Sequence, residues 1–169
     1  MAISYATLRS AALSSRVTVA KTLSEADERG IKTAFLCHSH NDKALVKGFV
    51  SYVQQNGWKL YIDWQDTSMP ANPNRVTAEK IQARIRSTDL FIFLATDNSV
   101  SSRWCPWEIG YADGVKEADH ILVVKTKDDY GNFHGNEYLG LYRKLDVAKD
   151  GKLAAWRPNE ASGTYATAL

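Results

Sequence analysis

Leu90-Phe91-Ile92-Phe93-Leu94, extended by Ala95 and then broken by the polar Thr96-Asp97-Asn98, is an apolar run with no polar interruption. Side chains of a strand point alternately to two faces, so a strand apolar at every position is covered on both. That is the setting of a central strand in a parallel sheet flanked by helices. Working outward, Thr33-Ala34-Phe35-Leu36-Cys37 and Ile121-Leu122-Val123-Val124 have the same character and predict two further buried strands. Trp58, Leu60 and Ile62 alternate with Lys59, Tyr61 and Asp63, which predicts an edge strand with unlike faces. Helical spacing fills the intervals. Residues 43–56 carry Leu45, Val46, Phe49, Val50 and Val53 three and four apart, with Asn56-Gly57 as a stop. Val76, Ile81 and Ile85 repeat the spacing, and Pro106 places a helix start close to residues 103–105 that runs on through Ile109, Ala112 and Val115. Strands alternating with helices predict an α/β fold, a doubly wound, flavodoxin-like parallel sheet with helices on both faces. Its ligand site lies beyond the carboxyl ends of the strands, where the loops after Cys37, Asp63 and Ala95 meet.

Around this unit, residues 1–30 place Leu8, Ala12, Val19 and Leu23 on one face and predict an N-terminal amphipathic helix. The main domain is expected over 31–157, closing on a hairpin turned by Lys149-Asp150-Gly151 between Leu145 and Trp156, with a loosely ordered tail over 158–169. Residues 64–75 hold Pro70 and Pro73 and no hydrophobic period, so they form a long loop, and long loops inside compact domains usually have a task.

Composition narrows the function classes. At 169 residues and 44% hydrophobic the chain suits one domain, and 21 Lys and Arg against 19 Asp and Glu leave a net charge of +2, too balanced for a nucleic-acid surface. No apolar run is long enough to span a membrane. Cys37 and Cys105 are the only cysteines and form no disulfide framework, so free thiols in a reducing, cytoplasmic compartment are expected. No His/Cys set has metal-ligand spacing and no glycine-rich phosphate loop occurs, so no metal is expected.

Chemistry concentrates in Ser101-Ser102-Arg103-Trp104-Cys105-Pro106-Trp107-Glu108-Ile109-Gly110. Residues four apart on a helix share a face, about 5–6 Å apart at Cβ, so an aromatic plane at 104 and a carboxylate at 108 can address one ligand. The positive helix end favours the ionised carboxylate. With Ser102, Trp104-Cys105 and Glu108, together with Phe35-Leu36-Cys37-His38-Ser39-His40-Asn41-Asp42 and Tyr61-Ile62-Asp63, the sequence resembles the TIR (Toll/interleukin receptor) domain family over residues 32 to about 126. It is similar to the NAD-cleaving bacterial type, Thoeris-like antiphage proteins among them. The resemblance implies the TIR fold, Glu108 as catalytic carboxylate and Trp104 as a wall of the nucleotide pocket. His38, Ser39 and His40, with Asp63 and Trp64 on the next loop, are expected in the NAD site. NAD is then substrate rather than cofactor. Its nicotinamide is cationic at the glycosidic nitrogen and leaves neutral, so one carboxylate suffices where an ordinary glycosidase needs two. The products are nicotinamide and ADP-ribose, or a cyclic ADP-ribose signal that a downstream effector senses in immune defence.

The family's loop over 64–75 commonly joins TIR domains, so self-association is implied, with Met69, Pro70 and Arg75 as assembly residues. Two departures stand out: Cys37 replaces a serine of the first-strand motif, and the loop lacks a glycine. Two other readings stay open, a non-enzymatic TIR adaptor or virulence protein and a nucleoside deoxyribosyltransferase-like enzyme. Glu108 can also be an ordinary first-turn acid suiting the dipole, and Trp104 ordinary packing, as is expected of Trp107.

Overall fold

Every residue of β2 (Thr33–Cys37) and β4 (Leu90–Ala95) is buried, as their unbroken apolar character requires. The computed structural model describes residues 2–14, 19–64 and 74–169. In chain order its main elements are β1 (Ile3–Ser4), α1 (Tyr5–Ala12), α2 (Leu23–Glu28), β2, α3 (Lys43–Gln55), β3 (Tyr61–Asp63), α4 (Arg75–Ser87), β4, α5 (Asp97–Val100), α6 (Cys105–Val115), β5 (Ile121–Lys127), β6 (Arg143–Val147), β7 (Leu153–Trp156) and β8 (Thr164–Tyr165).

The sheet order is β3-β2-β4-β5-β6-β7-β8. The strands from β3 to β6 pair in parallel, with Ala34 opposite Leu90, Cys37 opposite Phe93 and Phe93 opposite Val123. Counted from β2, the parallel strands stand 2-1-3-4-5, the flavodoxin-like arrangement, and the order reverses between β2 and β4. A crevice opens at such a switch point beyond the carboxyl ends of the strands.

Alternation divides the apolar residues between two cores. Ala34, Leu36, Ile92, Leu94 and Val124 face α3, meeting Val46, Phe49 and Val53. Phe35, Cys37, Phe91, Phe93 and Val123 face α4 and α6, meeting Ile81, Ile85, Cys105, Ile109 and Ala112. Each large side chain fully buried contributes roughly 1.5–3 kcal/mol. The turn after α3 ends as its sequence predicts: Gly57 takes φ +76°, its N–H donates to Gln54 O and that of Trp58 to Val53 O, a Schellman closure.

Two expectations need correction. Residues 1–30 do not form one helix, because two capping signals divide them. Ser4 Oγ accepts from Thr7 N and starts α1, and Thr22 Oγ1 accepts from Glu25 N and starts α2. The segment packs on the domain. β1 pairs with the end of β5, Leu8 is fully buried, and α1 lies so close on α3 that a Cβ at Gly48 would stand 2.0 Å from Leu8 O. The tail is likewise tied down. β6 and β7 form the expected hairpin, and β8 pairs with β7, covering backbone groups that an open edge would leave without partners. Ala166 is buried beyond it. A two-residue strand has too little periodicity to be read in advance.

Candidate active site

The start of α6 is built by Ser102. Its Oγ accepts from Trp104 N at 3.1 Å and Cys105 N at 3.3 Å, satisfying two donors that a helix start leaves open, and Pro106 in the first turn has no N–H to satisfy. Glu108 N donates to Trp104 O at 2.8 Å, so the two side chains leave the helix one turn apart. Glu108 is only 7% exposed, unusual for a glutamate, and a buried carboxylate needs polar partners. Trp104 is half-buried and meets Trp107 edge to face, 5.2 Å between ring centroids. Trp107 stacks on Tyr111, whose hydroxyl accepts from Arg86 of α4. Trp107, assigned to packing by its sequence, thus packs within an aromatic row along α6 rather than in the core.

Beside the start of α6 lies Cys37, the last residue of β2, fully buried and free. Its Sγ donates to Cys105 O at 3.8 Å. Burial pushes the Cys37 thiol well above its ordinary range, and contacts to Cys105 and to the Glu108 carboxylate push it further in the same direction.

The loop joining β4 to α6 is clamped to the loop after β2 through Asp42. Thr96 Oγ1 donates to Asp42 Oδ2, and Asn98 Nδ2 donates to Asp42 Oδ1 at 2.7 Å. Thr96 and Ser99 form a reciprocal capping box, and Ser99 Oγ donates to Leu94 O at 2.7 Å. The Thr96-x-x-Ser99 spacing could have announced the cap, whereas no local pattern marks Asp42, whose partners lie more than fifty residues away.

The other anticipated residues are placed unevenly. His38 is half-buried, with Nδ1 2.8 Å from Leu36 O. Ser39 is buried and its Oγ accepts from Asn41 N, capping the short turn that follows, while His40 is exposed. All three sit on the loop leaving Cys37, at the switch point beside α6. Asp63 and Trp64, expected in the nucleotide site, have partners on neighbouring elements. Both oxygens of Asp63 are gripped by Arg84, with Nε donating at 2.7 Å, which braces β3 to α4. Trp64 packs against the core on the α3 side, the sheet face opposite α6. Arg75 opens α4, 82% exposed and paired with Glu79. Met69 and Pro70 lie outside the described residues.

Among the described residues no cluster of His, Cys, Asp and Glu is arranged to hold a metal ion, and no helix is long and apolar enough to cross a membrane. A cavity of about 280 Å³ lies at the antiparallel edge, lined by Arg143, Arg157, Glu160, Ser162 and Thr164, away from Glu108. Its lining mixes both signs of charge, and Arg157 is already paired with Asp119 and Glu160, so it offers no rival centre for the chemistry.

A parallel 2-1-3-4-5 sheet, a carboxylate in the first turn of the helix after β4 and a tryptophan one turn before it agree with the comparison by sequence: a family profile described as TIR domain matches residues 34–154, and the chain belongs to the TIR domain family. Among its relatives is a protein of Bacillus cereus (strain MSX-D12) named "Probable 3' cyclic ADP-D-ribose synthase ThsB'", 35% identical over 118 residues, 69% of this chain and 61% of that protein. A second, from Cytobacillus dafuensis and named "Putative cyclic ADP-D-ribose synthase TIR2", is 27% identical over 81 residues, 46% of this chain and 21% of that one. The chain therefore spans less than two thirds of the length of either relative.

Proposed function

We propose that this protein cleaves the bond between nicotinamide and ribose in NAD, with Glu108 stabilising the positive charge that develops on the ribose. The observation that carries the reading is a carboxylate buried to 7% exposure in the first turn of α6, at the switch point of the sheet and one turn from Trp104. As the glycosidic bond breaks, its electron pair leaves with nicotinamide, which becomes neutral. The oxocarbenium-like ribose then faces a fixed negative charge in a site of low dielectric, where such a charge has the greatest effect. Water attacking the anomeric carbon gives ADP-ribose and a proton, and a hydroxyl or ring nitrogen of the same molecule gives a cyclic product. The names of the two relatives favour the cyclic outcome, and a cyclic nucleotide signal suits an effector that senses it in antiphage defence.

Incubation of the purified chain with NAD, followed by chromatography and mass spectrometry, tests this. Nicotinamide with cyclic or linear ADP-ribose is expected. Base release from deoxynucleosides with NAD untouched would instead mark a deoxyribosyltransferase-like enzyme, and no turnover of either would mark an adaptor.

Trp104 supplies an aromatic wall for the nucleotide in this reading. Trp104→Ala is expected to raise KM for NAD about fivefold or to shift the ratio of cyclic to linear product, since aromatic contacts contribute about 1 kcal/mol beyond their area. A variant that melts earlier but keeps wild-type KM and products would leave Trp104 as packing alone.

β3 ends at Asp63, and exposed Arg75 opens α4. We place an assembly contact there, one protomer closing the site of its neighbour and excluding water from it. Specific activity should then rise with protein concentration, and Arg75→Glu should lower it without unfolding the chain. Concentration-independent activity from a monomer would remove the assembly and leave Glu108 in place.

A further inference from the structure

The tail over 158–169 closes a cavity over a buried cation. Arg143, the first residue of β6, is 9% exposed. Among the described residues its side chain makes one hydrogen bond, Nη1 donating to Asp119 O at 3.3 Å, and it forms no ion pair; its Nε is buried with no partner. A carbonyl takes one of the five donors of a guanidinium and none of its charge. Taking a charge out of water is costly unless an opposite charge goes with it. Two acids lie nearby, and both serve Arg157. Asp119 accepts from Nε at 2.8 Å and from Nη2 of that residue, and Glu160 stands 3.7 Å from its Nη1. The charges around the cavity therefore balance in number but not in place: the carboxylates sit on exposed Arg157, and buried Arg143 has neither.

We propose that this cavity binds a small phosphate oxyanion, as the free ion or a monoester, with Arg143 as its anchor. The planar fork of an arginine matches a pair of phosphate oxygens. Ser162 and Thr164 line the same cavity with hydroxyls. Together with the guanidiniums they offer more donors than the two oxygens of a carboxylate can use, whereas a phosphate presents three or four. The volume, about 280 Å³, is at the lower limit for ligand pockets, which suits a phosphate with a short ester and is too small for a dinucleotide. The site is distinct from that of Glu108. Arg143 opens β6 and Asp119 precedes β5, so the cavity is at the amino end of the parallel strands, whereas α6 follows the carboxyl end of β4. Apart from Arg143 its lining lies beyond residue 154, where the family match ends, so the shared domain supplies the buried cation and the segment after it supplies the rest.

Titration calorimetry of the full chain with sodium phosphate, at ionic strength held constant with chloride, is expected to show one saturable site. Tm should rise by roughly 3–5 °C at ten times the dissociation constant. Arg143→Met is expected to weaken binding about thirtyfold or more, and to melt without phosphate at the wild-type Tm or above, because an uncompensated buried charge is gone. Heat that does not saturate, or undiminished phosphate affinity in Arg143→Met with a lowered Tm, would overturn the site and leave Arg143 a structural residue. Acetate bound as tightly as phosphate would overturn the choice of phosphate. Methyl phosphate separates the two sources: tighter binding than phosphate assigns a monoester, weaker binding the free ion. If Arg143→Met does not fold, exposed Glu160 and Thr164 decide. Glu160→Gln should tighten phosphate binding about threefold by removing a negative charge from the rim, and Thr164→Val should weaken it about fivefold by removing a donor. Unchanged affinity in both would overturn the proposal. None of these measurements depends on turnover of NAD.

Discussion

Glu108→Gln is expected to lower the rate of NAD cleavage by about 100-fold or more while leaving the fold in place. The amide matches the carboxylate in shape, so the buried site at the start of α6 is not opened. What disappears is the negative charge opposite the ribose, and with it the interaction that strengthens as the glycosidic bond breaks. The volume is nearly unchanged, so circular dichroism and thermal unfolding should stay close to wild type. Nicotinamide release is the readout. A variant within a few-fold of wild type would remove Glu108 from the chemistry and return it to the plain role of a first-turn acid beside the helix dipole.

Phe93→Ala is expected to cost about 3–5 kcal/mol of stability, a large share of the 5–15 kcal/mol that holds a typical domain folded. Phe93 is fully buried on β4, opposite Cys37 in the register, in the core between the sheet and the helices α4 and α6. Truncation leaves a cavity there, and the close packing around it can relax only in part. Thermal unfolding should show a Tm lower by roughly 10 °C. Because the void would open beneath the helix that carries Glu108, the surviving folded protein should also turn over NAD more slowly at temperatures well below Tm. A loss of less than 1 kcal/mol would mean that the sheet and helix close over the gap.

The two effects have different origins, and so does their legibility. Phe93 could be assigned to a core from its neighbours alone, since a run apolar at every position is compatible only with cover on both faces. The same reasoning located the helix over 43–56 and a helix carrying Val76, Ile81 and Ile85, because spacing of three and four residues is local information. Glu108 and Trp104 were legible through the motif around Pro106, which places the helix start and so the face they share.

Asp63 shows the limit. Its place at the end of an edge strand was legible but its partner was not: the carboxylate pairs with Arg84, a residue twenty-one positions away that only the tertiary fold brings near. Trp64 shows the same limit, since the sheet face it packs against depends on where the chain turns after β3. Residues 1–30 carried two readable caps, Ser4 and Thr22, that a single helical period concealed, and nothing local announced that β1 would join β5.

By itself the sequence determined the class of fold, the helices and strands of the parallel core, and the motif that sets Glu108 and Trp104 on one helix start, because each depends on residues within a few positions of one another. Only the tertiary structure decided that Cys37 meets the start of α6 at Cys105 O, that Asp42 ties Thr96 and Asn98 across the switch point, and that the N-terminal segment and the tail join the sheet. Those contacts link residues far apart in the chain, and their partners are chosen by how strands order and helices pack rather than by any local preference.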